Sequence, residues 1–306
     1  MSDKYAFADA EYAHHQAAGN AGSPAAPTLT QMLAWLGVSR SGFYEWDRRQ
    51  PSRAERRREE LKIKITALFE ASDRTYGYRR IHADLLRGGD TAGPELVRKL
   101  MRELGLEPVQ PRPYKVTTIR GEDANKPVPD LLNRDFGAPE PGRKLVGDIT
   151  YIHTWQGWVY LATVIDCFNN ELIGWAMADH MRTELVIDAL DMAAANHDLD
   201  AECIFHSDRG TQYTSADFAT ALGRLGLKQS LGRTGICYDN ALAESVNAII
   251  KNERVNRDTY PTRDKAMRVI AHWIEMVYNR RRISSVLGYR TPHEVRIQHH
   301  NTQEAA

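Results

Sequence analysis

Three carboxylates far apart in the chain raise the question of chemistry. Asp148 interrupts the apolar run LVGDITYI, Asp208 ends CIFHSD, and Glu244 lies early in the helical stretch ALAESVNAIIKNE. Fifty-nine residues separate the first pair and 35 the second. At ~100° per residue, Lys251 shares a helix face with Glu244, about 10 Å further along. Taken singly, each acid reads as a cap or a solvated surface carboxylate. Taken together they form a hard-oxygen donor set of the kind Mg²⁺ favours, since that ion keeps several waters or substrate oxygens in its shell. Two such ions, about 3.5 to 4 Å apart, stabilise both the attacking and the leaving oxygen of a phosphodiester displacement.

Such a trio needs a scaffold to gather it. KLVGDITYIHT, WVYLATVIDCF and ELIGWAMAD are strand-like runs with short, turn-rich gaps, which predicts an antiparallel meander. ELVIDALDMAAAN predicts a helix, CIFHSD a fourth strand, SADFATALGRLG a helix and KQSLGR a fifth strand. ALAESVNAIIKNERVN and TRDKAMRVIAHWIEMVYNRRR predict two more helices. The pattern describes a mixed α/β sheet, an antiparallel meander plus further strands, with helices on its faces. In such a sheet a strand end, an adjoining strand centre and a helix on the face can meet at one cleft. Asp166 is a rival ligand that reads better as a turn cap, and Asp239 and Asn240 read as helix-start residues. His206 abuts a buried strand and His153 is isolated, so neither reads as a ligand.

Upstream the texture is helical. Residues 1–27 read as a flexible N-terminal segment, HHQAAGNAGSPAAP having linker composition. LTQMLAWLGVSRSGFYEW predicts two short helices around Gly37, with Ser39 or Ser41 as a cap and Arg40 at the second start. This fits a helix-turn-helix reader of DNA or a plain helical hairpin. Residues 53–71 predict an amphipathic helix with Leu61, Ile65 and Leu68 on one face. YGYRRIHADLL and PELVRKLMRELGL predict two more, the latter opened by Pro94 and closed by Gly105. Arg79, Arg80, Arg98, Lys99 and Arg102 fall on exposed faces, as a solvated basic surface or as DNA contacts. The expected organisation is a helical DNA-binding region over 28–110, an extended proline-rich linker over 111–142, and the α/β domain with its C-terminal helices over 143–300.

Across 306 residues, 40 basic and 40 acidic side chains cancel, but not locally. Residues 51–115 carry 15 basic and 10 acidic groups, 148–250 carry 5 and 14, and 251–306 carry 11 and 6. That is either surface noise or a cation-seeking acidic site between phosphate-gripping flanks, and charge alone does not choose. The three cysteines, Cys167, Cys203 and Cys237, have neither zinc spacing nor a disulfide framework. No apolar run approaches the ~20 residues of a membrane span, and the N-terminus lacks a secretory h-region. A cytoplasmic protein without membrane segments is expected.

The carboxylate spacing is similar to the Asp, Asp, (35) Glu triad of polynucleotidyl transferases, including retroviral integrases and many transposases. HSDRGTQYTS, GICYDNALAESVNAIIKNE, YNRRRISSVLGYRTPHE, LGVSRSGFYEW, YGYRRI, VRKLMRELGL and the opening KYAFADAEYA resemble the second-reading-frame product of insertion-sequence-three family transposases, in the expected order and over almost the whole chain. The resemblance implies a ribonuclease-H-like integrase catalytic core, with strand cleavage at element ends and attack of a freed 3′-hydroxyl on another strand. It implies Mg²⁺ or Mn²⁺ as a pair of ions, Asp148 bridging and Asp208 and Glu244 flanking. Lys251 would hold a phosphate near the scissile bond, against the plainer reading of an exposed helix lysine. Arg209, Gln212 and Tyr213 would touch DNA from one turn, and Arg40, Arg79, Arg80, Arg280 and Arg281, the last two beside Arg282, would hold phosphates. The implied partners are element ends and target DNA, a second copy of the chain at least, and the upstream-frame product, whose leucine-zipper and helix-turn-helix portion this sequence lacks. Two departures stand out: the tract over 14–27 is poor in apolar residues, and Ile283 replaces a commonly polar or histidine position. The rival readings are a DNA-binding regulator or inactive transposase fragment competing for element ends, and a ribonuclease-H-type nuclease.

Overall fold

The computed structural model describes residues 2–18, 27–110, 128–233 and 237–305. They form two compact units, one running to Ile63 and one beginning at Lys64.

The first unit contains α1 (Ser2–Ala18), α2 (Leu29–Trp35), α3 (Arg40–Asp47) and the start of α4 (Arg53–Ala71). Thr28 and Gln31 cap α2 reciprocally, each side chain accepting the other's backbone N–H. Gly37, at φ +65°, closes the turn that follows, and the Ser39 hydroxyl accepts the Gly42 N–H to start α3. Tyr5 and Ala8 of α1 pack with Leu33 and Phe43. Residues 2–18 are therefore an ordered helix and not the flexible segment their composition suggests. Alanine is the strongest helix former, and Tyr5 and Ala8 give α1 a narrow seam to bury. Residues 19–26 of that segment lie outside the described residues.

The second unit is built on a five-stranded sheet, ordered β3-β2-β1-β4-β5. Its strands are β1 (Lys144–Thr154), β2 (Gly157–Asp166), β3 (Leu172–Ala178), β4 (Ile204–Ser207) and β5 (Lys228–Leu231). β1, β2 and β3 pair antiparallel, whereas β4 and β5 join in parallel. This is the expected mixed ribonuclease-H-like sheet. On one face, α7 (Thr183–Asn196) and α8 (Ala216–Arg224) close a core around Leu190, Phe205 and Phe218. On the other, α9 (Ala241–Glu253) and α10 (Arg263–His272) close a second core around Val146, Ile250 and Ile274. β2 lies between both cores, which explains its long apolar run. Gly174 lets α7 approach β3 closely, since a Cβ there would stand 2.2 Å from the Ala189 carbonyl oxygen.

α10 runs on into a π-helical turn, Trp273–Tyr278, and the chain ends in α11 (Pro292–Glu304). Just after the π turn, buried Asn279 copies a strand: its amide donates to the Leu172 carbonyl at 3.0 Å and its oxygen accepts the Leu172 N–H at 3.1 Å. The exposed edge of β3 is satisfied there.

The remaining helices of this unit, α5 (Tyr78–Arg87) and α6 (Pro94–Glu103), do not stand apart behind a linker. The Tyr76 hydroxyl donates to the Arg281 carbonyl at 3.1 Å and accepts the Ile283 N–H at 2.9 Å. Ile283 is buried there, which accounts for an apolar residue at that position. On α4, Leu61, Ile65 and Phe69 are buried, and Leu68 is only half-buried. The part of the proline-rich stretch that is described, 128–142, is not an extended spacer. Leu132 is buried, the Leu131 N–H reaches the Ser230 hydroxyl at 2.9 Å, and the Gly142 N–H reaches Asp166 at 2.7 Å. Proline limits helix and strand without preventing such packing, and residues 111–127 lie outside the described residues.

Glu253, at the end of α9, accepts from Arg282 at 2.7 Å and from Arg80 at 3.2 Å. Arg282 is 6% exposed, so removing its counter-charge strands a buried cation. Glu253→Ala is expected to cost about 3–5 kcal/mol, read as a lowered denaturant midpoint, whereas Arg98→Ala on an exposed face should leave the midpoint nearly unchanged.

Candidate active site

The parallel register brings the two aspartates to one level. Val146 pairs with His206, so two residues further on Asp148 and Asp208 stand at matching heights, just past the end of β4. Two glycines make this possible. A Cβ at Gly147 would stand 2.5 Å from the Phe205 ring, so only glycine lets β1 pass that ring beside Asp148. After Asp208 the chain turns at Gly210, whose N–H donates to the Asp208 carboxylate at 2.9 Å. Asp208 is exposed and Asp148 half-buried.

The start of α9 is pinned from both sides. Asn240 caps it without a side-chain hydrogen bond to the helix, its amide donating instead to the Gly147 carbonyl at 3.1 Å. Asp239 is buried, and Arg233 first and then Arg134 hold its carboxyl well below the usual carboxylate range. Buried His206 bridges the Ser230 hydroxyl and the Asp239 carbonyl, each at 2.8 Å. A carbonyl only accepts, so Nε2 carries the proton, and burial disfavours a second one on the ring. Asp166 caps its turn, accepting N–H groups from Gly142 and Phe168.

From that start, Glu244, Asn247 and Lys251 follow at i, i+3 and i+7 on one face of α9. The Asn247 amide donates to the Asp148 carboxylate at 2.8 Å. Burial, then the charges of Asp208 and, more weakly, Glu244, push Asp148 up to about 7, against that amide. Burial and then Asp208 also raise Glu244. Burial lowers Lys251, which feels Asp148 in the opposite sense, and its Nζ lies 4.5 Å from the Tyr151 ring centroid. Asp148, Asp208 and Glu244 thus share one electrostatic neighbourhood. Among the described residues, no three His, Cys, Asp or Glu side chains are drawn together as a finished metal cage. The donor chemistry nonetheless suits a hard divalent cation, being all carboxylate oxygen with mutual repulsion for a cation to offset.

Other expected contacts are placed differently. Tyr213 is buried between Phe205 and Phe218, so its ring is core and does not face a partner. Arg209 donates to the Gly232 and Val128 carbonyls, and Gln212 to that of Met181, so both brace the turn. Arg282 is buried on Glu253, and Arg80 shares that acid. Arg40, Arg79, Arg280 and Arg281 are exposed. The sequence reading missed Gly147 and Asn247, although Asn247 lies on the helix face shared by Glu244 and Lys251, a signal that was available.

This sheet, with acids at its β1–β4 lip and a helix laid across them, defines an integrase-type core. An integrase core domain model matches residues 138–237, a second matches 225–292, and an HTH-like domain matches 55–114. The "Insertion element IS600 uncharacterized 31 kDa protein" of Shigella sonnei is 39% identical over 270 residues, 88% of this chain and 98% of that one. Transposase InsF for insertion sequence IS3A of Escherichia coli K12 is 34% identical over 270 residues, 87% and 93% of the two chains. Among solved structures, the HTLV-2 integrase catalytic core domain in complex with magnesium covers 52% of this chain and 98% of its own, at 17% identity and a TM-score of 0.40. The chain belongs to the insertion-sequence-three family of transposases. Among the described residues, no helix is long and apolar enough to cross a membrane.

An acid raised in the fold stabilises it fully below its unfolded value, near 3.8, and that contribution is lost as pH climbs through about 7. Asp148→Asn removes the loss and keeps an acceptor for Asn247. In EDTA, the variant should therefore gain on wild type between pH 5 and pH 8 by on the order of 2 kcal/mol. Denaturant titrations of both proteins at the two pH values measure this, and an unchanged difference would contradict the raised carboxyl.

Proposed function

We propose that the chain is a transposase that cleaves DNA strands at insertion-sequence ends and transfers them to a target, a polynucleotidyl transferase using Asp148, Asp208 and Glu244 as one set. The observation that carries this reading is the geometry of the β1–β4 lip: the parallel register sets Asp148 level with Asp208, and the α9 face that bears Glu244 holds Asp148 through Asn247, so that burial and then the charge of Asp208 raise both Asp148 and Glu244. Holding such acids together costs stability, and structural ion pairs do the reverse, so a cation-dependent role fits best. Asp148, Asp208 and Glu244 would hold Mg²⁺ or Mn²⁺, as a pair of ions. When bound, the ions stabilise charge on the attacking and leaving oxygens of the phosphodiester.

The chain's own groups do the positioning. Asn247 fixes the Asp148 carboxylate, and the α9 start pinned through Asn240 sets the depth of Glu244. Lys251, on the same face, is the phosphate contact beside the scissile bond. The exposed Arg40, Arg79, Arg280 and Arg281 are offered as further contacts along the duplex, giving affinity that falls with salt. Joining two ends calls for at least a dimer on DNA, with the upstream-frame product as a further partner, in the cytoplasm.

Asp148→Asn, Asp208→Asn and Glu244→Gln should each abolish Mg²⁺-dependent cleavage of labelled end DNA while leaving its binding within about twofold of wild type. Cleavage surviving in any one of them overturns the assignment. Lys251→Ala should weaken end binding and flatten the plot of log affinity against log salt by close to one unit. A parallel plot would remove its phosphate role.

A further inference from the structure

The β1–β2 hairpin carries aromatic side chains where a soluble fold has no use for them. Tyr151 is 56% exposed, Trp158 45% and Trp155, at the tip, 71%, with His153 exposed between them. His153 and Trp158 are cross-strand partners, and Tyr151 lies two residues from His153 on the same side of β1. Trp158 meets Tyr151 and His153 edge to face, each at a centroid distance of 5.2 Å, so the rings do not stack on one another. Beyond Val146, β1 has no β4 partner, leaving this side open.

Together with Lys251 and Tyr260, these rings line a pocket of about 340 Å³, near the lower end of sites that take a small organic ligand. The acid at its rim, Asp258, is ion-paired with Arg254 at 3.0 Å. The hairpin is braced: the Trp155 backbone N–H donates to the Tyr260 carbonyl at 3.0 Å, while Arg263 donates to the Gln156 side chain and the Trp158 carbonyl. Flat rings on a rigid support, beside one ammonium, match a base and its phosphate.

We infer that this pocket receives one unpaired nucleobase of the DNA substrate, stacked on Trp158 and Tyr151, with the adjoining phosphate at Lys251. The inference rests on the reading of the chain as a DNA-end enzyme. Tyr151 is three residues along β1 from Asp148, about 10 Å at 3.3 Å per residue, which is roughly three nucleotides of strand at 3.4 Å each. A paired base has both faces covered by its neighbours, so only an unstacked one can use these rings. Stacking of this kind tolerates any base, because every base has a π-face.

The test uses the full chain and two probes of equal length and charge: a (dT)₁₂ oligonucleotide with a central 2-aminopurine, and a twelve-unit counterpart in which every position is abasic. Wild type should bind the base-bearing probe at least tenfold more tightly and quench its fluorescence on release from solvent. Trp158→Ala should erase that preference and Trp158→Phe should keep most of it, and Tyr151→Ala serves as the second variant. Equal affinity of wild type for both probes overturns the inference, as does a preference that survives both alanine variants. So does a Trp158→Ala chain that sediments as a smaller species with its base preference intact, which would make the face a contact between copies. Base preference is read from binding and cleavage from a separate assay on end DNA, so a wild type that cleaves without base preference sinks this inference alone, and one that shows the preference without cleaving sinks only the enzymatic reading.

Discussion

Everything in the second unit depends on keeping like charges close without letting them separate. Carboxylates repel, and one of them, Asp148, sits on a strand whose neighbours are buried. A flexible loop would relieve the repulsion by moving. Here the parallel ladder from Val146 to His206 fixes two of the acids, and a helix pinned through Asn240 fixes the third. The sheet and the two apolar cores supply the stability that this arrangement spends.

The surrounding polar network serves the same end. His206, Ser230, Asp239 and the two arginines on Asp239 are polar or charged, yet none of them faces the carboxylate lip as a reactant. They fix where β4, β5 and α9 begin and end. Burial of such a network is tolerable because its members are satisfied by one another. Clustered charge around the carboxylate lip is thus no guide to which residues are free to meet a partner, since Arg209 and Arg282 are engaged within the fold.

Much of this was legible from sequence because periodicity and strand-end acids are local signals. All five strands, and the helices from α2 to α10, follow from apolar spacing, Gly37, Pro94 and Gly105. The carboxylate trio was legible from spacing and flanking words together. What escaped was written in three dimensions. Tyr213 reads as a turn residue, and only the packing of Phe205 and Phe218 makes it core. Arg282 looks like its neighbours Arg280 and Arg281, and its burial depends on Glu253 29 residues earlier in the chain. The α1 helix was hidden by small residues, and the packing of 128–142 by prolines. Asn247 was within reach, because it shares a helical face with two residues already singled out.

One helix, α9, carries Glu244 near one end and Glu253 at the other, where Arg80 of α5 and Arg282 converge on it. It therefore works as a crankshaft with two fixed throws. A single inserted residue between them would rotate one acid by ~100° relative to the other, so this span is intolerant of indels. The thirteen residues from Ala241 to Glu253 are held to a fixed count by geometry at both ends.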